Sequence, residues 1–167
     1  PKRQRFAIAR DAKADFLISV HADNHPSKKL RGLTIYTLSA KASDKEADRL
    51  SKQENKSEFL EDLDFTANNT KDVSNVLIDI AQRSSKNTAL ILAKDFHKCF
   101  AQKKVGKLMT LRSADLAVLK APDTPSILVE LGYLSNTKDE KLVRTFQYQK
   151  KLAQALINAL DKYFEKA

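Results

Sequence analysis

Two short apolar runs constrain the fold of this chain most strongly, because each one ends at a residue that can take part in catalysis. Residues 16–20 (FLISV) lead to His21, and residues 126–129 (SILV) lead to Glu130. Runs of this length and composition predict strands that are buried on both faces of a sheet. We expect a further strand in residues 30–39, and residues 116–120 (LAVLK) are also strand-like.

Helical periodicity separates these runs. Apolar residues spaced three and four apart predict helices over residues 6–12, 72–96 and 152–163. The long central pattern predicts either one helix or two with a break at Ser84 and Ser85. Ser43 and Glu46 match a capping box and predict the start of another helix. Alternating strands and helices predict an α/β fold, with a central twisted, mostly parallel sheet flanked by helices.

Composition limits the classes of partner. A chain of 167 residues is long enough for one domain with its own core, and the single cysteine, Cys99, excludes an intramolecular disulfide. No stretch reaches the apolar length of a membrane span. The net charge of +9 favours a polyanionic partner such as nucleic acid, an anionic membrane surface or a carboxylate-bearing wall polymer. The lysines are scattered through helical stretches without an RNA-binding signature, so we do not predict a nucleic-acid site.

His21 and Glu130 together suggest metal-dependent hydrolysis. In open α/β sheets, sites form at the carboxyl ends of neighbouring strands, where both residues are expected. A neutral imidazole binds Zn²⁺, and a nearby carboxylate that is not a ligand acts as general base toward water. The structural alternative stays open at this point, because a histidine beside a strand is often only hydrogen-bonded and a glutamate can simply be the first polar residue after a buried strand.

Two long motifs resemble those of a known family. The stretches "ADFLISVHAD" and "LKAPDTPSILVELGYLSN" are similar to those of the zinc-dependent N-acetylmuramoyl-L-alanine amidases that cleave septal peptidoglycan in Gram-negative bacteria. The likeness covers nearly the whole chain, including the closing "YQKKLAQALINALDKYF". It implies that His21 is a zinc ligand and Glu130 the catalytic carboxylate. The implied reaction is hydrolysis of the amide between N-acetylmuramic acid and L-alanine in the periplasm, for daughter-cell separation.

The chain also departs from this family. Its members carry two further zinc ligands, a histidine in a Gly-His-Gly motif and a glutamate, on an N-terminal portion, and no Gly-His-Gly occurs here. We therefore expect the first strand and helix of the family to be missing and residues 1–167 to be the C-terminal major part of a catalytic domain. Catalytic zinc normally has three protein ligands. The rival hypothesis is a non-catalytic domain that binds peptidoglycan or a partner protein.

The acidic segment in the middle of the chain suggests regulation. The resemblance implies an inserted helical regulatory segment at about residues 43–100 that lies over the site, with one glutamate bound to the metal. Glu54 is the candidate inhibitory ligand, with Glu58 and Glu61 behind it. An activator protein would then have to displace the inserted helix. The alternative is a solvent-exposed acidic helix.

Other residues near the motifs have simpler explanations. His25 lies in a loop with Pro26, where helical ligand spacing is not available, so we do not predict that it binds the metal. Asp23 and Asn24 either flank the pocket or cap the turn. His97 is expected to have a packing or surface role.

Overall fold

The structure, a computed structural model, describes residues 2–61, 73–121 and 123–165. The elements follow in the order α1 (Lys2–Asp11), β1 (Leu17–His21), β2 (Thr34–Leu38), α2 (Lys45–Glu61), α3 (Val73–Gln102), β3 (Arg112–Ala114), a short 3₁₀ helix (Ala117–Leu119), β4 (Ser126–Glu130), α4 (Thr137–Val143) and α5 (Phe146–Phe164). Within these residues, no helix combines the length and the apolar character needed to cross a bilayer.

The four strands form one mixed sheet in the order β1-β4-β2-β3. β4 and β2 are antiparallel, with Thr34 opposite Glu130 and Tyr36 opposite Leu128. All five residues of β4 are buried, as expected for a central strand with an apolar sequence. The predicted α/β class with a sheet flanked by helices is confirmed.

The chain divides into two compact units. The first comprises Pro1–Ile18, Thr37–Ala89 and Arg112–Ile127, and the second comprises Ser19–Tyr36, Leu90–Leu111 and Leu128–Ala167.

In the first unit, α2 packs against β3 and the 3₁₀ helix. Its residues Ala47 and Leu50 are fully buried. Arg10 of α1 pairs with Asp123 at 2.8 Å, and the hydrogen bond from this guanidinium lowers the pKa of the Asp123 carboxyl. The pair is about half exposed, so it contributes little to stability.

In the second unit, the core forms around aromatic side chains. Phe96 and Phe100 of α3 are both fully buried and meet edge to face, with ring centroids 5.9 Å apart. α5 buries Tyr148, Leu152 and Ala155, which repeat at the helical period of its apolar face. The predicted closing helix is confirmed.

The strand predicted at residues 116–120 is wrong. Residues 117–119 form the 3₁₀ helix, and the strand lies just before it at β3. The side chain of Asn55 explains the difference: its amide donates to the carbonyl of Asp115 at 2.7 Å and accepts from the backbone N–H of Ala117 at 2.9 Å. These two bonds satisfy backbone groups that a strand would have paired with a neighbour.

The predicted capping box is wrong as well. The side chain of Asp44 accepts from the backbone N–H of Ala47 at 2.8 Å and so caps α2. Ser43 instead exchanges hydrogen bonds with Ser113, and Glu46 binds Arg49. Of the two alternatives for the central pattern, one continuous helix is observed, since α3 passes through Ser84 and Ser85 without a break.

A buried carboxylate organises the second unit around the turn after β4. Asp139 is only 2 % exposed, and its Oδ2 accepts from the backbone N–H groups of Gly32 at 2.7 Å and Tyr133 at 3.2 Å. Arg31 lies 3.3 Å from its Oδ1. Gly32 has φ +117°, and a Cβ there would come within 2.6 Å of the Lys107 carbonyl oxygen, so this close approach requires glycine.

Replacing Asp139 with alanine should lower the free energy of unfolding by about 3 kcal/mol, because two buried N–H groups would lose their charged acceptor. Urea denaturation followed by circular dichroism measures this change. The matched control is Glu140→Ala on the same helix, whose ion pair with the largely exposed Arg144 should be worth less than about 1 kcal/mol. Equal effects of the two substitutions would contradict an organising role for Asp139.

Candidate active site

His21 closes β1 with both ring nitrogens near polar atoms. Its side chain is 15 % exposed, its Nε2 forms a 2.9 Å hydrogen bond with Ser19 Oγ, and its Nδ1 lies 3.7 Å from Asp23 Oδ1. Ser19 and His21 are two residues apart on one strand, so their side chains share a face of the sheet. The imidazole is therefore held in place by short-range contacts and keeps some access to solvent.

Glu130 closes β4 and is completely buried. Its Oε1 accepts a hydrogen bond from the backbone N–H of Asp23 at 2.9 Å. Removing a carboxylate from water costs several kcal/mol unless it is compensated. A residue that merely ended a strand would avoid this cost by turning to the surface, so its complete burial favours a chemical role over the structural alternative.

Asp23 connects the two strand ends. Besides its N–H bond to Glu130, its carbonyl accepts from the N–H of Leu134 at 2.8 Å, and the carbonyl of His21 accepts from the N–H of Leu131 at 2.8 Å. Residues 21–23 are thus fastened to the segment that follows β4. Sequence reasoning treated Asp23 only as a flanking or capping residue, and the signal that could have identified it is its place two residues after His21.

The donor set at this point suits a divalent cation. Asp23 Oδ2 is buried, and no hydrogen-bond donor of the described residues reaches it. A buried carboxylate oxygen that lacks a donor needs a positive partner, and here it belongs to a residue whose other oxygen faces an imidazole. Imidazole nitrogen and carboxylate oxygen are both ligands that zinc accepts.

Tyr148 supports the same segment and was not predicted. Its hydroxyl donates to the carbonyl of Leu131 at 2.8 Å. Burial raises the pKa of this hydroxyl, and the carboxylates of Asp139 and Glu130 raise it further. The group therefore stays protonated at neutral pH and remains a donor. Its position in the apolar period of α5 made it look like an ordinary core residue.

The other two histidines have structural contacts. His25 Nδ1 accepts from the backbone N–H of Ser27 at 2.9 Å, and its ring meets Tyr133 edge to face at 5.8 Å. His97 Nε2 lies 2.9 Å from the carbonyl oxygen of Met109, in a hydrogen bond. The contact of His97 agrees with the packing or surface role expected from the sequence.

The candidate inhibitory residues lie on α2. Glu54 is half-buried on this helix in the first unit, and its role as a metal ligand stays a prediction. The side chains of Glu58 and Glu61 lie outside the described residues.

Replacing Glu130 with glutamine should leave the free energy of unfolding unchanged or raise it by about 1 kcal/mol. The amide oxygen can still accept from Asp23, while the cost of burying a charge is removed. Thermal and urea denaturation of the two proteins measure this difference. A loss greater than about 2 kcal/mol would assign Glu130 a structural role instead.

Comparison with protein families gives one match that covers almost the whole chain. The model of a family described as N-acetylmuramoyl-L-alanine amidase matches residues 1–162. The chain is 34 % identical over 160 residues to the probable N-acetylmuramoyl-L-alanine amidase AmiB of Haemophilus influenzae, which covers 94 % of this chain and 37 % of that protein. It is 32 % identical over 167 residues to AmiA of Salmonella typhimurium, covering 98 % of this chain and 57 % of the relative. The chain thus spans between about a third and three fifths of the length of these curated relatives.

Solved structures share the fold. The catalytic domain of the amidase CwlV from Bacillus (Paenibacillus) polymyxa matches with a TM-score of 0.64 at 20 % identity, over 99 % of this chain and 66 % of that one. The CwlD amidase from Clostridioides difficile, solved in complex with the GerS lipoprotein, matches with a TM-score of 0.62 at 20 % identity, over 99 % of this chain and 62 % of that one.

Proposed function

Because the chain belongs to the N-acetylmuramoyl-L-alanine amidase family, we propose that this protein hydrolyses the amide between N-acetylmuramic acid and L-alanine in peptidoglycan. The observation that carries the proposal is the fully buried Glu130, held by the backbone N–H of Asp23, two residues after His21. The net charge of +9 suits a wall polymer that bears carboxylates.

Zinc is the metal that the family implies, and His21 would hold it, with Asp23 Oδ2 beside it. The chemistry that zinc supplies when bound is Lewis acidity, which polarises a carbonyl and makes water a nucleophile near neutral pH. A catalytic zinc site needs further protein ligands besides His21. The resemblance assigns them to a Gly-His-Gly portion that these 167 residues do not contain.

Glu130 acts as the general base and then as the general acid. Its carboxylate takes a proton from the attacking water and later returns it to the leaving amine of L-alanine. The bond from Asp23 to Oε1 fixes the orientation of the carboxylate, so that little reorganisation is needed during the reaction. Complete burial keeps bulk water away from this proton transfer.

We also propose that the enzyme works in the periplasm, splits septal wall and is autoinhibited by the inserted helix that carries Glu54. A carboxylate at the metal blocks the entry of water, so an activator protein would have to move this helix. The half-buried position of Glu54 on α2 supports its choice as the candidate. An amidase of this fold, CwlD, was solved in complex with a lipoprotein, which supports a partner protein as a binding candidate.

A non-catalytic domain that binds peptidoglycan or a partner protein is the second candidate. It requires that the full protein has no ligands to complete a metal site with His21. The buried carboxylate opposes it, because a binding domain without chemistry gains nothing from the cost of burying Glu130.

The first test uses the protein extended at its N-terminus to include the preceding stretch of its gene. We expect it to contain zinc and to digest purified murein, and Glu130→Gln should lower the rate by about 10³-fold while zinc content is unchanged. Metal analysis and dye release from labelled murein measure the two quantities. The control Glu140→Gln should keep full activity, and a Glu130→Gln variant that digests normally would end the proposal.

The second test addresses autoinhibition in the same extended protein. Glu54→Ala should raise basal murein hydrolysis on the order of tenfold, the effect of removing a contact worth about 1.4 kcal/mol. Asp48→Ala is the matched control, because Asp48 is an exposed acid on the same helix, where it pairs with Lys52. Equal rates for Glu54→Ala and the parent protein would exclude this residue as the inhibitory ligand.

A further inference from the structure

A second concave site lies in the first unit and shares no residue with the candidate active site. It is a cavity of about 160 Å³ between the end of β2, one face of α3 and the segment between β3 and β4. The side chains that line it from α3 include Gln82, Lys86 and Ala89, which are four and three residues apart and so lie on one face of the helix.

The size of the cavity selects a class of ligand. Pockets for drug-sized ligands start at about 300 Å³, so this smaller space suits a group the size of one amino-acid residue. The space exists because Ala40, Ala89 and Ala121 line the walls with methyl groups only.

Hydrogen bonds hold two parts of the cavity wall. The Asn55 side chain holds the backbone of Asp115 and Ala117 through two hydrogen bonds. On the other side, Ser126 Oγ donates to the carbonyl of Thr124 at 2.8 Å. A cavity with walls held in this way binds without paying much ordering entropy.

The charges around the opening are unequal. Lys120 Nζ lies 3.0 Å from Asp115 Oδ1, and both side chains are about half exposed. Lys86 is exposed, and it makes no ion pair with any acidic residue of the described parts of the chain. The lining therefore carries two ammonium groups and one carboxylate, an excess of one positive charge that favours an anion.

We propose that this cavity binds the C-terminal residue of a short peptide that ends in a small aliphatic amino acid. The terminal carboxylate would pair with Lys86 and Lys120, the last peptide N–H would donate to Asp115, and the aliphatic side chain would contact the alanines. Peptidoglycan stem peptides have this chemistry, and that choice of source rests on the proposed function. The cavity would then hold a wall peptide at a point separate from the reacting bond.

The test measures binding by NMR titration of the ¹⁵N-labelled protein with N-acetyl-D-alanine. We expect saturable shifts of the amide signals of residues 86, 89 and 120, with a Kd on the order of 1 mM for so small a ligand. N-acetyl-D-alaninamide, which lacks the carboxylate, should produce no saturable shift. Equal responses to the acid and the amide would overturn the proposal.

Variants assign the binding to the cavity. Lys86→Gln should weaken it at least tenfold, and Ala40→Phe, at an exposed position of the wall, should block it without disturbing the core. Lys94→Gln, an exposed lysine of α3 outside the cavity, is the matched control and should bind normally. Unchanged affinity in Lys86→Gln or Ala40→Phe would show that the ligand binds elsewhere.

Two further measurements separate this inference from its alternatives. N-acetyl-L-glutamic acid α-amide carries a side-chain carboxylate, and tighter binding of this probe would assign the cavity to an acidic protein segment and overturn the C-terminal peptide. Murein digestion by the extended protein is scored independently. Intact digestion with no binding of N-acetyl-D-alanine would refute this inference alone, whereas binding without digestion would refute the proposed function alone.

Discussion

The hydrogen bond from the backbone N–H of Asp23 to Glu130 is the interaction on which the candidate site depends. A carboxylate can be fully buried only if it has donors, and this one receives a backbone donor 107 positions earlier in the chain. The antiparallel register of β2 and β4 fixes where Glu130 lies, because Thr34 is opposite it. A slip of one residue would turn Val129 to the face that Glu130 now occupies, and the backbone donor would then meet a valine side chain.

The segment after β4 shows how helices far along the chain support this bond. The carbonyl of Leu131 accepts from Tyr148 of α5, and the backbone N–H of Tyr133 donates to Asp139 of α4. Gly132 between them has φ +145°, and a Cβ there would lie 2.9 Å from Asp139 Oδ2. The turn is therefore held from both sides, and the direction in which Glu130 leaves the strand follows from packing in α4 and α5.

Sequence alone predicted the parts of this arrangement that depend on apolar patterns. β1, β4 and α5 follow from continuous or periodic apolar residues, and the positions of His21 and Glu130 at strand ends follow with them. Side chains that bind backbone groups were missed or misplaced. Asn55 converts the apolar run at residues 116–120 into a 3₁₀ helix, and Asp44 replaces Ser43 as the cap of α2. Such bonds depend on which residues meet in space, and a one-dimensional pattern does not contain that information.

Local charge gives a physical reason for a cation at the candidate site. The protein as a whole carries a net charge of +9, yet the second unit places two acidic residues beside His21: Asp23 Oδ1 lies 3.7 Å from its Nδ1, and the backbone N–H of Asp23 donates to Glu130. Two carboxylates close together in a water-poor environment repel each other, and a cation beside them lowers this repulsion. The excess of lysine and arginine elsewhere on the chain does not help, because solvent screens exposed charges over about 10 Å. A divalent ion held by His21 and Asp23 would lower the repulsion between the carboxylates, so the residues whose charge favours a cation are also those with the donor atoms to bind one.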